Sequence, residues 1–343
     1  MGVHRPVILD GGLATELERR GADLSDRLWS ARVLIDDPDL IRDVHRDYFR
    51  AGADVAITAT YQASGAGFAA DGIDRVQATA LMRRAVNLAR SAREQAGRQG
   101  LLIAASLGPY GAMRADGSEY RGNYGDASDA ELTGFHRSRI DVLAAERPDL
   151  FAAETIPSMR ETEALAGVLL ETPEIPSWLS FSCRDGTRIA DGTPIEEAAR
   201  VAASIPSVIA VGINCTPARL MAPLLERLRS AVSIPLVVYP NARGRWDAAG
   251  RTWVDAVGVE PEYLADSAEA WVGVGARWVG GCCGFGVDAI AALARALKHD
   301  VRSSPPAAPP PTPPPAQWPR TMLEAERAPR PHPRPTAKRR AND

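Results

Sequence analysis

Three of the four cysteines in this 343-residue chain stand where apolar segments stop. Cys282 and Cys283 are adjacent, with Gly280, Gly281, Gly284 and Gly286 around them. Cys215 ends Val208-Ile-Ala-Val-Gly-Ile-Asn-Cys215, 67 positions before Cys282. Cysteine packs well in cores, but flanking glycines leave little to pack and let another group approach the backbone. Three thiolates sharing one place suit Zn2+, a usually four-coordinate metal that keeps a position for water or substrate when the protein supplies three ligands. A closed structural site would need a fourth Cys or His. Cys183 is the spare thiol, and the five histidines (His4, His45, His136, His299, His332) fall on predicted helices or near the termini. A redox pair is a poorer reading, because the usual spacing is Cys-x-x-Cys. A plain core role stays open, more for Cys215 than for the adjacent pair.

Acidic residues stand at other segment ends. Asp10-Gly11-Gly12 opens a helix, where free backbone N–H groups suit a carboxylate. Asp10 and Glu154 suit an ammonium. Sulfur to metal, carboxylate to amides and ammonium to Asp/Glu together describe an amino acid. The plainer readings are a helix cap for Asp10 and a solvent-facing loop acid for Glu154. Residues 65–70, Gly-Ala-Gly-Phe-Ala-Ala, echo a dinucleotide loop but lack its third glycine and an acidic partner. They read as an ordinary loop.

What must position these groups is a repeated strand-then-helix unit. Short continuous apolar runs at 7–12, 53–61, 101–107, 150–156, 178–183, 208–214, 235–239 and from 278 alternate with helical patterns, the last over 287–297. Unbroken apolar strands are those covered on both faces. Eight such units predict an α/β fold of the (β/α)8 TIM-barrel type. A doubly wound open sheet is the alternative, because strands five and seven are the weakest. A barrel places its site at the C-terminal strand ends. That ring would gather Asp10, Gly11, Gly12, Thr58, Thr60, Glu154, Thr155, Cys183, Asn214, Cys215, Tyr239, Asn241, Cys282 and Cys283.

The bulk numbers bound the reading. At 45% hydrophobic residues the chain can bury a large core, and net charge is −3. From Ser303 onward there are seven Lys/Arg and three Asp/Glu, so the tail carries +4 and the rest −7. An acidic body argues against nucleic acid as a partner. About half of the 27 prolines lie in that tail. Residues 1–302 are therefore expected to form the barrel, and 303–343 a disordered, proline-rich basic tail. Four cysteines are too few for a disulfide scaffold. With no signal-like leader and no membrane-length apolar run, the expectation is a cytoplasmic protein without a membrane partner.

Seven stretches in order resemble the homocysteine S-methyltransferase family, closest to its S-methylmethionine-using branch, from about Val7 to Leu297. They are Asp10-Gly-Gly-Leu-Ala-Thr-Glu-Leu17, Leu28-Trp-Ser-Ala31, Thr58-Ala-Thr-Tyr-Gln-Ala63, Gly117-Ser-Glu-Tyr-Arg-Gly122, Glu154-Thr-Ile-Pro-Ser158, Gly212-Ile-Asn-Cys215 and Gly280-Gly-Cys-Cys283. The resemblance implies a zinc-dependent barrel that methylates L-homocysteine to methionine, with Cys215, Cys282 and Cys283 as metal ligands. It implies that Asp10, Gly11, Gly12 and Glu154 hold homocysteine, with Thr58 nearby, and that Trp29 faces the methyl donor. Asn214, beside Cys215, is read with them as a substrate contact. The donor is S-methylmethionine or S-adenosylmethionine. The oligomeric state is open, a monomer being favoured. Two departures stand out: Gly284-Phe285-Gly286 where relatives often carry Arg-Thr-Thr, and the proline-rich tail. A zinc- or thiol-based binding or sensor barrel without turnover is the alternative class. A metal hydrolase is disfavoured, because thiolates replace the usual His and carboxylate ligands.

Overall fold

The computed structural model describes residues 5–25, 28–242, 245–247, 252–254, 260 and 262–298. The expected tail, 303–343, lies outside the described residues. The strands are β1 (Val7–Ile8), β2 (Val55–Ile57), β3 (Leu102–Leu107), β4 (Leu150–Ile156), β5 (Ser177–Phe181), β6 (Val208–Pro217), β7 (Leu236–Asn241), β8 (Arg245–Asp247), β9 (Thr252–Val254) and β10 (Ala276–Val279). Eight of them pair in parallel in the order β1-β10-β7-β6-β5-β4-β3-β2. A parallel bridge between Leu9 and Val55 brings the two ends of that order together. The expected (β/α)8 barrel is therefore found, and the open sheet is not.

The seam between β1 and β2 is held largely by two aspartates. Asp54 N–H donates to Ile8 O at 2.7 Å, and Asp54 Oδ2 accepts from Ile8 N at 3.1 Å. Asp10 Oδ2 accepts from Ile57 N at 2.8 Å. The buried charge of Asp54 is matched by Arg5 at 2.7 Å and Arg98 at 2.9 Å.

The longer helices wrap the sheet because each buries one apolar stripe, and several start on a residue whose side chain caps the first turn. In Pro38–Ala51, Asp37 accepts from Leu40 N, and Ile41, Val44, Tyr48 and Phe49 face inward. Arg75–Ala96 starts on Asp74, which accepts from Gln77 N. Asp129–Ala145 opens on a capping box between Ser128 and Glu131. Inside the barrel, Trp178 packs edge-on to Tyr239 and tilted against Trp278, at ring separations of 6.1 and 5.8 Å. They are almost wholly buried, and they sit beneath the site described below.

The sequence pattern did not reveal the short elements of the loops between strands and helices. These are helices Ser30–Asp36, Gly65–Ala69 and Tyr110–Arg114, the 3-10 turn Ser118–Tyr120, and the antiparallel ribbon β8–β9. Residues 65–70, expected to be loop, begin with a helical turn because Ser64 caps the amide of Gly67. Segments this short carry no periodicity to read.

Candidate active site

Regular strands alternate their side chains between faces, and the site is built where two of them stop doing so. β4 loses register with β5 between Ala153 and Ile156, where Thr155 takes φ 61°. β6 loses register with β7 between Asn214 and Pro217, where Cys215 takes φ 45°. A left-handed non-glycine residue costs on the order of 1–3 kcal/mol and persists only when its surroundings over-determine it. One side chain does much of that work. Asn214 Oδ1 accepts from Thr155 N at 2.7 Å, and Asn214 Nδ2 donates to Thr155 Oγ1 at 2.7 Å. Ser180 Oγ donates to the same Oδ1 at 2.8 Å. Asn214 therefore ties the bulge of β4 to the residue preceding Cys215, and Asn241 Nδ2 reaches Cys215 O at 3.3 Å.

Cys282 and Cys283 follow β10 on glycines. Cys282 N donates to Pro240 O at 2.7 Å, and Ala242 N donates to Cys283 O at 2.8 Å. Gly12 packs against this turn so tightly that a Cβ there would lie 2.8 Å from Cys282 O. Cys215 Sγ is 3.9 Å from Cys283 Sγ, Cys282 Sγ is 4.0 Å from Cys283 Sγ, and all three fall within 4.8 Å of one another. A tetrahedral metal with sulfur ligands at ~2.3 Å sets its sulfurs ~3.8 Å apart, so the trio fits a metal ion. Shared hydrogen bonds with Cys215 and Cys283, then burial, push the Cys282 thiol well up. Deprotonating the set calls for a cation among the sulfurs. Cys183 is not one of this group. Its amide donates to Thr216 Oγ1, and it stays a half-buried thiol packed against the core.

The cysteines open onto a cavity of about 450 Å³, also lined by Gly11, Gly12, Trp29, Thr58 and Glu154. Glu154 is 6% exposed. Ser106 Oγ donates to its Oε1, and Tyr239 OH donates to its Oε2 at 3.1 Å. The indole N–H of Trp178 donates to that same hydroxyl at 2.9 Å, so the aromatic plug orients the acid above it. Burial lifts the Glu154 carboxyl to about 7, against the pull of Ser106 and Tyr239. The solvent-facing reading of Glu154 is thereby excluded. Thr58 is buried, with its Oγ1 accepting from Ser106 N at 3.1 Å. Trp29 stands at φ 49° with its ring edge-on to Tyr61, 6.4 Å between centroids.

Asp10 and Asn214 are not among the residues lining this cavity. Asp10 is 1% exposed, with Oδ2 spent on Ile57 and Oδ1 buried without a partner. The Gly12 amide, expected to meet a carboxylate, instead donates to Phe285 O at 2.9 Å. The loop that departs from the family pattern thus closes onto the glycine pair. Four further lining residues were not singled out in the sequence: Tyr61, Glu119, Tyr120 and Thr15. Tyr120 OH is 3.4 Å from Cys215 Sγ, and Thr15 Oγ1 accepts from Gly284 N at 2.8 Å. Glycines bracketing Gly117-Ser-Glu-Tyr-Arg-Gly122 were the available signal for two of them.

A parallel barrel whose mouth holds three converging thiols and a buried carboxyl of raised pKa has the construction of an enzyme site able to hold a metal ion on sulfur. Residues 7–297 match the family model described as homocysteine S-methyltransferase. The homocysteine S-methyltransferase of Escherichia coli (strain K12) is 48% identical over 294 residues, covering 84% of this chain and 94% of that protein. Homocysteine S-methyltransferase YbgG of Bacillus subtilis (strain 168) is 46% identical over 303 residues, covering 85% and 95%. The solved metallated form of the homocysteine methyltransferase MmuM from Escherichia coli superposes with a TM-score of 0.76 at 45% identity, covering 85% of this chain and 96% of that one. The chain belongs to the homocysteine S-methyltransferase family, and it is a methyltransferase rather than a binding barrel without turnover. No helix among the described residues is long and apolar enough to cross a membrane.

Proposed function

We propose that the protein moves a methyl group from S-methylmethionine to the sulfur of L-homocysteine, with zinc held by Cys215, Cys282 and Cys283. The observation that carries this reading is the spacing of the three sulfurs, 3.9 and 4.0 Å along two edges, at the wall of a cavity that also presents Glu154. Bound there, zinc supplies the Lewis acidity that keeps an acceptor thiol deprotonated at neutral pH.

The chain's own groups bind and orient the substrates. Glu154, fixed by Ser106 and Tyr239, and the unpaired Oδ1 of Asp10 receive the ammonium of homocysteine. An ammonium beside Glu154 favours its ionised form, so binding draws that carboxyl down from about 7. Trp29 and Tyr61 hold the donor's sulfonium by cation–π attraction, roughly 0.5–2 kcal/mol. Asn214 takes a positioning role, because its amide is occupied by Thr155 and Ser180. Tyr120 holds Cys215 in place.

In the transfer, the donor's S–CH3 bond breaks and its electron pair stays on the donor sulfur. A lone pair of the acceptor thiolate forms the new S–C bond. One positive and one negative charge disappear together, and a cavity that limits water favours that outcome. What remains for the protein is to bring the two sulfurs into line. All residues in this account lie between 10 and 283.

The test is single turnover by the zinc-loaded full chain with homocysteine and either S-methylmethionine or S-adenosylmethionine, following methionine. Elemental analysis accompanies it for Cys282→Ser. Methionine from S-methylmethionine, and joint loss of zinc and turnover in Cys282→Ser, are expected. No methionine from either donor, or full turnover without metal, would end the reading.

A further inference from the structure

We propose that Glu119 is the carboxylate that reads the methyl donor, taking its α-ammonium while Trp29 and Tyr61 take its sulfonium. This deepens the function proposed above and rests on it. A transfer between two amino acids brings two ammonium groups into one cavity, and each needs an acceptor. Among the described residues, two carboxylate oxygens are buried without a hydrogen-bond partner: Asp10 Oδ1 and Glu119 Oε2. The first belongs to the strand ends, with Glu154. The second belongs to the loop after β3, which forms part of the cavity wall.

Glu119 is built into that wall. It is 8% exposed and lines the cavity. Its carbonyl accepts from Ser182 Oγ at 3.0 Å. Its amide packs on Gly111, where a Cβ would lie only 2.3 Å away. The next residue, Tyr120, reaches Cys215 Sγ at 3.4 Å, so the turn is anchored from both sides close to the sulfurs. Tyr61 is a near neighbour: its phenol is pushed up by burial and then by the Glu119 carboxylate. An acid stranded in this way costs stability with no structural return. It repays that cost only when a cation bearing N–H groups arrives.

The chemistry divides the donor between the two kinds of group. A sulfonium has no N–H to donate and suits an aromatic surface. An ammonium suits an acceptor with an empty lone pair. Glu119 would therefore distinguish an amino-acid sulfonium from one that lacks the amine.

The experiment compares wild type, Glu119→Gln and Glu119→Asp as zinc-loaded full chains. It uses S-methylmethionine and 3-(dimethylsulfonio)propanoate, a sulfonium without an amine. Calorimetric binding of each donor is measured beside KM for donor and for homocysteine. Glu119→Gln should weaken S-methylmethionine about 10- to 100-fold, the worth of a hydrogen bond to a charged group. It should leave zinc content and the homocysteine KM in place, and erase the preference for the donor bearing an amine. Glu119→Asp should recover part of that preference. Unchanged S-methylmethionine binding in Glu119→Gln, an equal loss for both sulfoniums, or a shift confined to homocysteine would each overturn the assignment. A wild type that binds S-methylmethionine yet makes no methionine would instead break the proposed function and leave Glu119 as a sulfonium-binding residue.

Discussion

Asp10 Oδ2 accepts the amide of Ile57 at 2.8 Å, leaving Oδ1 buried and unpaired. One carboxylate therefore stitches the β1–β2 seam and keeps an acceptor in reserve. Burial holds the Asp10 carboxyl well above the usual range, with the Ile57 amide pulling the other way. The two oxygens can be separated by substitution. Asp10→Asn keeps one oxygen for Ile57 but turns an N–H2 toward the place of Oδ1. It should fold with nearly unchanged thermal stability and raise KM for homocysteine about 10- to 100-fold. Asp10→Leu also strips Ile57 of its acceptor and should cost a further 1–3 kcal/mol or so of stability. Denaturant melts and homocysteine KM for both variants check this. An Asp10→Asn variant with wild-type KM would leave Asp10 as a structural staple only.

Glu154 gives a pH signature in the metal-free chain. Its folded carboxyl titrates at about 7 because of burial, against an ordinary value of 4.5. Between those values the native protein holds a proton that the unfolded chain has released. Ionising Glu154 therefore destabilises the fold as pH rises through this window. The penalty is absent below about 4.5 and complete above about 7, on the order of 3 kcal/mol from the size of the shift. Glu154→Gln removes the titration. Its stability relative to wild type should rise between pH 5 and pH 8 by up to that amount, while homocysteine binding is lost. Urea melts of the metal-free proteins at the two pH values decide it; a difference that does not change with pH would contradict the burial argument.

The barrel was legible because its strands are continuous apolar runs, and periodicity survives without knowledge of contacts. The convergence of the three cysteines was legible for a related reason: strand ends converge in a closed barrel, so Cys215 and Cys282–Cys283 needed only the topology. The finer site was not. Asn214 was read as a substrate contact because it sits beside Cys215, yet its amide is spent on Thr155. That bond depends on a bulge in another strand, 59 residues away, which no local pattern announces. Gly12 was read as an anion site from its place before a helix. The carbonyl that occupies its amide comes from Phe285, in the loop after β10, distant in the chain but beside β1 in the barrel. Glu119 and Tyr120 lie on a three-residue turn, too short to carry a pattern of its own.

Arg139 is wholly buried in helix Asp129–Ala145, and its guanidinium ends on backbone carbonyls rather than on a carboxylate. Nε donates to Ala63 O at 3.1 Å, one terminal nitrogen to Gly108 O at 2.6 Å, and the other to Thr60 O at 2.7 Å and Tyr61 O at 3.0 Å. Phe135 lies against the same group, 4.9 Å from ring centroid to guanidinium carbon. Burial lowers the guanidinium to about 10, so it is still charged at neutral pH. This planar fork holds the loop after β2 against the end of β3, and that loop carries Tyr61. A lysine keeps the charge but not the fork, since its ammonium is a point donor that cannot span these carbonyls. Arg139→Lys should therefore lose about 2–4 kcal/mol of stability through unmade buried bonds. Metal content should survive, because the hydrogen bonds of Arg139 end on Ala63, Gly108, Thr60, Tyr61 and Ser106 and on no cysteine. The donor KM should rise more than the homocysteine KM, because Tyr61 loses its anchor while Glu154 keeps Ser106 and Tyr239. Denaturant melts, elemental analysis and the two KM values measure each part; wild-type stability in Arg139→Lys would show that the loop holds its shape without the guanidinium.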